Sequence, residues 1–357
     1  MNHPSVPPGQ PNGRPRPKRF RRLLAGLAAI LLLLAGAHAG LWWWAAGRVE
    51  QEMGQWAAAR RAEGWQISHA APRREGWPLR LDVSWPELRL VVPLAGLPGG
   101  ATWQAQALRL RLSLTPWNDA WRDALAEPIG AQRLQAAGRS LPLTADTMNA
   151  TIPLRPREAG APIRVTLRQL RLGAAPQMVE VAQGAGRIEG RSLTLDLRDL
   201  TLPVEAPLGR IITALGVRAA MLGPVPDLGS FGPPPASRAA AWRDGGGEID
   251  LQALTLRWGG LSASVSGRLG LDGALQPRGS GRLAVANPAQ ATDALAEAGV
   301  LAPRMAALAR GLLPLLARPD PAGGAPRLEV PVQLQDRAVT AAGLSLLRLP
   351  VLEWPGS

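Results

Sequence analysis

The sequence predicts a mainly β (α+β) protein, in which an N-terminal transmembrane helix precedes an antiparallel β-sheet domain with a few amphipathic helices. An uncharged apolar run covers residues 23–44. Segments in which apolar and polar residues alternate then recur through the rest of the chain, as in antiparallel strands with one apolar face. Proline and glycine separate most of these segments, which is typical of turns between strands.

The apolar run predicts a single-pass signal-anchor. As a helix, its 22 residues span about 33 Å, enough for a hydrocarbon core of about 30 Å. Residues 1–22 form a basic, Pro-rich tail, and the positive-inside rule places this tail in the cytoplasm and the main domain across the membrane. The expected topology determinants are Lys18, Arg19, Arg21 and Arg22. The expected anchor residues are Leu23, Leu27, Ile30, Leu31, Leu34, Leu41 and the interfacial Trp42, Trp43 and Trp44.

A cleavable signal peptide is the competing interpretation. Ala37-His38-Ala39 fits an A-x-A cleavage site, which leaves open whether the chain is cut after Ala39. Apolar residues continue past that site to Ala46, which favours an uncleaved anchor. Both interpretations deliver the rest of the chain to an extracytoplasmic space.

Beyond the anchor the sequence divides into four segments. A juxtamembrane helix is expected at 45–64, because Val49, Met53, Trp56 and Ala57 form one helical stripe. A first β-rich half follows at 65–222, then a Pro/Gly-rich loop at 223–247 and a second β-rich half at 248–357 with helices near 288–317. The clearest predicted strands are 79–83, 107–114, 163–172, 193–202, 248–258, 261–271, 281–286 and 328–334.

Two further helices are expected within the first β-rich half. One is a short helix at 117–127 after Pro116. The other, at 208–222, is a candidate lid over the apolar face of the sheet or a core helix beneath it. Its apolar residues at helical spacing are Leu208, Ile211, Ile212, Leu215 and Leu222.

The composition argues against an enzyme. There is no cysteine, so disulfides, thiolate metal sites and thiol nucleophiles are excluded. Of the three histidines, only His69 lies outside the tail and the apolar run, and no nucleophile accompanies it. Asp272 is expected to serve a turn. We therefore identify no catalytic, metal-binding or cofactor-binding residue.

The charge and the tryptophans point to a membrane rather than to nucleic acid. The net charge is +13, with a basic cluster confined to the N-terminal tail. Interleaved arginine and tryptophan can stack on bases, but the extracytoplasmic address and the absence of basic runs after residue 22 favour anionic lipid head groups. No nucleic-acid partner is expected.

Three stretches carry a family resemblance. They are AARRAEGWQI after the Trp-rich run, AWRDGGGEIDLQALTLRWGGLSASVSGRLGLDGALQPRG, and VPVQLQDRAVTAAGLSLLRLP near the end. Together they resemble the uncharacterised proteobacterial family called domain of unknown function 2125. More distantly, the strand-rich C-terminal part is similar to AsmA-like envelope proteins. The resemblance implies an inner-membrane anchor, a periplasmic domain and a long, curved β-sheet whose apolar groove carries lipid.

The sequence thus favours a non-enzymatic envelope protein that binds a phospholipid or another amphipathic molecule on an apolar sheet groove. The alternative is a structural or assembly factor that acts through protein–protein contacts, with the apolar face fully covered. The sequence names no protein partner.

Overall fold

The structure, a computed structural model, describes residues 18–94, 97–114, 122–154, 161–224, 235–318, 325–341 and 344–354. It begins with one continuous helix, α1, over Lys18–Ala62. The expected transmembrane and juxtamembrane helices are therefore a single element, uninterrupted at Gly47. The four topology determinants lie in its first turns, and the rest of the basic tail lies outside the described residues. The stretch Arg22–Ala62 is long and apolar enough to cross a membrane.

Strands make up most of the remaining described chain. Three helices interrupt them: α2 (Pro235–Asp244), α3 (Pro288–Glu297) and α4 (Pro303–Leu316). The strands are β1 (Gln66–Ser68), β2 (Arg73–Glu75), β3 (Arg80–Leu94), β4 (Leu97–Ser113), β5 (Asp123–Ala136), β6 (Arg139–Thr144), β7 (Thr147–Pro153), β8 (Ile163–Ala174), β9 (Gln177–Glu189), β10 (Ser192–Thr201), β11 (Ile211–Leu222), β12 (Glu248–Trp258), β13 (Leu261–Leu271), β14 (Pro277–Ala286), β15 (Arg327–Gln335), β16 (Ala338–Ala341) and β17 (Leu344–Arg348).

All described strands join one antiparallel sheet. From β8 to β17 each strand pairs with the next one along the chain, so this half is a simple meander. Two short strands share a position at two places: β1 and β2 both pair with β3, and β6 and β7 both lie between β5 and β8. Register shifts within β4–β5, β11–β12 and β12–β13 bend the strands and increase their twist.

The period-two prediction is confirmed. Each of the eight clearest predicted strands falls on an observed strand. The bounds of β12 and β13 match the prediction at both ends, and the other six differ by a residue or more at one or both ends. The two helices expected within 287–317 are also present as α3 and α4, separated before Pro303. Asn287 precedes α3 as predicted, but its side chain donates to Gln290 Oε1 and does not cap the helix.

The helix predicted at 208–222 is wrong, because Ile211–Leu222 is strand β11. Its apolar residues fit a helical stripe, yet the segment also holds Ile211, Ile212, Thr213, Val217 and an internal glycine. β-branched residues favour a strand, and an internal glycine lowers the stability of a helix. Hydrogen bonding to β10 and β12 on either side stabilises the extended form.

Two other predictions also need correction. The expected helix at 117–127 is contradicted from Asp123 onward, where the chain forms β5; residues 117–121 lie outside the described residues. The expected loop at 223–247 contains α2, whose sequence PASRAAAWRD is rich in the strong helix former alanine.

Candidate functional site

The sheet has one continuous apolar face. Residues paired across neighbouring antiparallel strands lie on the same face, so a row can be followed from strand to strand. One such row crosses β8 to β15 through Leu167, Gly184, Leu197, Leu215, Leu256, Ala263, Val285 and Leu328. The adjacent row, on the other face, holds polar or small residues: Thr166, Ala185, Asp196, Gly216, Thr255, Ser264, Ala284 and Glu329.

The C-terminal half of α1 covers the beginning of this apolar face. Trp42 and Ala46 are buried against Leu81, Val83 and Trp85 of β3. Farther along the helix, Ala57 packs with Ile67 and Leu88. The helix that is apolar enough to cross a membrane thus continues directly onto the sheet, and these two clusters are the main hydrophobic core of the described chain.

Past β8 the apolar face is open. From β9 to β15, all of its leucines, isoleucines and valines except the buried Val181 are half-buried or exposed, and several are more than a third accessible. Ile188 is 45% exposed and Leu193, its partner in the register, is 42% exposed. Contiguous exposed apolar residues are typical of a binding surface.

Helices lie at the ends of the strands in the second half. A side chain at Gly260, between β12 and β13, would collide with Ala294 of α3. At the opposite strand ends, Trp242 of α2 packs on Gly247. A cavity of about 680 Å³ lies at the α2 end, within the size range of small-molecule sites. It is lined by apolar residues such as Leu269 and Leu334 and by equal numbers of cations and carboxylates: Arg243, Arg268, Arg278, Glu248, Asp272 and Asp336.

The candidate lid residues do not form a lid. Ile212 and Leu215 lie on the apolar face, opposite Trp258 and Leu256 of β12. Ile211 and Leu222 fall on the other face by alternation, and Leu208 lies in the turn before β11. The segment is therefore part of the apolar face itself. Alternation of apolar and polar residues could have identified this, had 208–222 been interpreted as a strand.

The anchor residues divide between two environments. The leucines and isoleucine of the predicted anchor are exposed along α1. Trp42, predicted to be interfacial, is only 5% exposed, and its ring N–H donates to the carbonyl oxygen of Arg80 at 2.9 Å. Trp43 and Trp44 are exposed, as interfacial side chains would be.

One arginine–carboxylate contact joins α1 to the sheet, and a second joins two strands on the opposite, polar face. Arg74 donates to both Glu50 oxygens at 2.7 Å, and its guanidinium lies 5.1 Å from the centre of the Trp43 ring. The hydrogen bond from Arg74 to Glu50 raises the pKa of this arginine. On β4, Arg111 donates to the buried Asp82 at 3.1 and 3.5 Å, and that bond raises the pKa of Arg111.

The residues considered for chemistry are spread apart. His69 Nδ1 donates to the adjacent Ala70 carbonyl oxygen at 2.9 Å. Asp272 accepts hydrogen bonds from the backbone N–H groups of Ala274 and Gln276 at 2.8 Å, so its predicted turn role is confirmed. Among the described residues, no group of three or more His, Asp or Glu side chains is placed to hold a metal ion.

Comparison with known protein families matches one family to most of the chain. The family model for uncharacterized proteins conserved in bacteria, DUF2125, matches residues 42–350. The chain belongs to this family. The DUF2125 region begins at the tryptophan that joins α1 to β3 and takes in the whole described sheet. No curated protein and no solved structure matches the chain. These comparisons do not show the AsmA-like resemblance.

Proposed function

We propose that this DUF2125 protein is a single-pass inner-membrane protein that binds a phospholipid or a similar amphipathic envelope molecule on the open apolar face of its sheet. Its N-terminus lies in the cytoplasm and its sheet in the periplasm. It acts by binding and carries out no chemical reaction. The observation that carries the proposal is the apolar face, which is covered by α1 at β3–β5 and uncovered beyond β8.

The energetics favour an apolar ligand on this face. Covering exposed apolar surface contributes roughly 25 cal/mol per Å² removed from water. The row from Leu167 to Leu328 contains neither charge nor hydrogen-bonding side chains, so an acyl chain would lose nothing in polar contacts there. The head group of such a ligand would stay in water beside the face.

The continuity with α1 supports a membrane source for the ligand. The helix passes from its exposed apolar half to its packed half at Trp42. The uncovered part of the face starts only a few strands away from that point, past β8. A lipid leaving the bilayer beside α1 would therefore meet apolar surface soon after it leaves the acyl region.

The test is native purification of the full chain followed by mass spectrometry of co-purifying lipids. Two neighbouring residues of β10 on opposite faces provide matched variants. Leu193 lies on the apolar face, and Thr194 lies on the other face between Arg187 and Arg218. We expect Leu193→Asp to reduce bound lipid severalfold and Thr194→Asp to leave it unchanged, with the same strand content by circular dichroism.

The competing function, assembly through protein contacts, predicts a different outcome of the same experiment. A stoichiometric protein would then co-purify with the wild-type chain, and Leu193→Asp would release that protein. Absence of bound lipid from the wild-type chain, or equal loss of lipid in the two variants, would contradict lipid binding on this face.

A further inference from the structure

The short loop between β2 and β3 carries a second uncharged apolar surface next to α1. Its sequence, residues 76–79, is Gly-Trp-Pro-Leu. Trp77 is 57% exposed and Leu79 is 56% exposed. Both remain accessible although the hydrophobic core around Trp42 and Leu81 lies close by. The loop is closed by a backbone hydrogen bond from Arg80 to Gly76, and Leu79 accepts another from Leu114.

Hydrogen bonds from two side chains of α1 determine which turn of the helix the loop lies beside. His38 Nε2 donates to the carbonyl oxygen of Pro78 at 2.6 Å, and Trp42 donates to that of Arg80 at 2.9 Å. His38 and Trp42 are four positions apart, which is about 6 Å along the helix axis. The loop therefore lies beside the turn of α1 that precedes the exposed Trp43 and Trp44.

That turn belongs to the apolar run. Tryptophan side chains concentrate at the membrane–water boundary, so Trp43 and Trp44 mark the outer boundary of the bilayer if α1 spans it. A residue level with His38 then lies on the bilayer side of that boundary. Trp77 and Leu79 present an aromatic ring and an aliphatic chain there, which suits the head-group and upper acyl region.

We propose that residues 76–79 insert into the outer leaflet beside α1 and form a second membrane contact of the domain. The proposal rests on the membrane anchoring proposed above. One helix alone would leave the sheet free to tilt about a single point. The loop adds a second point at the start of β3, and so fixes which end of the strands faces the bilayer.

Arginines flank the inserted surface. Arg80 follows the loop with an exposed side chain, and Arg74 lies over the Trp43 ring. Long cationic side chains near a membrane boundary direct their charge toward the head groups. This arrangement suits an outer leaflet with anionic lipid, and the inserted residues themselves carry no charge.

The absence of cysteine allows single-site labelling of the full chain. The probes are an environment-sensitive fluorophore on L79C, on W44C as a marker of the boundary, and on V204C as a control. Val204 is 60% exposed, similar to the 56% of Leu79, but it follows β10 at the opposite ends of the strands. Each variant is reconstituted into phosphatidylcholine–phosphatidylglycerol vesicles, with and without lipid that carries a nitroxide quencher near the head group.

We expect L79C and W44C to be quenched severalfold more than V204C, with blue-shifted emission. Quenching of W44C without quenching of L79C would overturn the loop contact and leave the anchor in place. If neither W44C nor L79C is quenched, or if the chain does not float with the vesicles, the anchor is wrong and the loop contact with it. Lipid binding on the sheet is tested separately by the Leu193 variant.

Discussion

The junction between α1 and the sheet depends on individual side chains, and Trp42 is the clearest of them. It is buried and donates its ring N–H to the Arg80 carbonyl oxygen. We expect Trp42→Ala to lower the free energy of unfolding by about 3–5 kcal/mol, as for other buried aromatic residues. Trp42→Phe should cost less, about 1–3 kcal/mol, because it loses the hydrogen bond and part of the ring packing but keeps a buried aromatic ring.

The measurement is thermal unfolding of the full chain in detergent, followed by the strand signal in circular dichroism. Trp44→Ala is the control, since this exposed side chain contacts detergent or water and should change stability by less than about 0.5 kcal/mol. Equal effects at positions 42 and 44 would show that α1 does not pack on β3.

A second residue-level prediction concerns the ion pair on the polar face. Asp82 is only 3% exposed and accepts from Arg111, while Arg80 is more distant at 3.5 Å. Arg111→Ala leaves a buried carboxylate with one weak partner, at an expected cost of about 1.5–3 kcal/mol. Arg164→Ala, an exposed arginine of β8 on the same face, should be neutral in the same unfolding assay. A neutral Arg111→Ala would mean that water or Arg80 satisfies Asp82.

At the scale of elements, the close pairing of β13 with β14 requires glycine. A Cβ at Gly267 would lie 2.3 Å from the Ser280 carbonyl oxygen and 2.5 Å from the Gly281 Cα. Gly267→Ala must push the two strands apart, at an expected cost of about 1–3 kcal/mol. Gly273→Ala, in the turn between the same strands, has open space around it and serves as the control. Hydrogen exchange of the β13 and β14 amides should accelerate only in the first variant.

The elements also show where the sequence is informative. Strands such as β8 and β10 alternate clearly because their polar face carries arginine, threonine and aspartate. Strand β11 carries Ala214, Gly216 and Ala220 on that face, so its period of two is weak and a helical stripe fits equally well. Small residues on a solvent-facing row remove the contrast on which the prediction of a strand depends.

At the scale of the whole molecule, the apolar face follows from alternation, but its coverage does not. Each strand pattern places apolar residues on one side, and antiparallel pairing joins these sides into one surface. The part of that surface that α1 covers depends on the direction of the helix after Trp42. Contacts such as the one between Arg74 and Glu50 determine this direction. Contacts between residues far apart in sequence have no local signal, so the open half of the face emerges only from the folded chain.

The continuity of α1 leads to a prediction about the mature chain. Cleavage after Ala39 would preserve the packed half of the helix from Trp42 onward but remove the His38 contact with Pro78. We expect the helix to remain intact, so the purified chain should retain the apolar run and have a mass near 37.7 kDa. Ala37→Leu, which destroys the A-x-A pattern, should then change the mass only by the difference between the two side chains. A phosphatase that is active only outside the cytoplasm, fused after Ser357, should be active because the basic residues precede the span. A mature N-terminus at Gly40 would refute the anchor. The orientation would be refuted if the phosphatase were inactive and a reporter that fluoresces only in the cytoplasm, fused at the same position, were fluorescent.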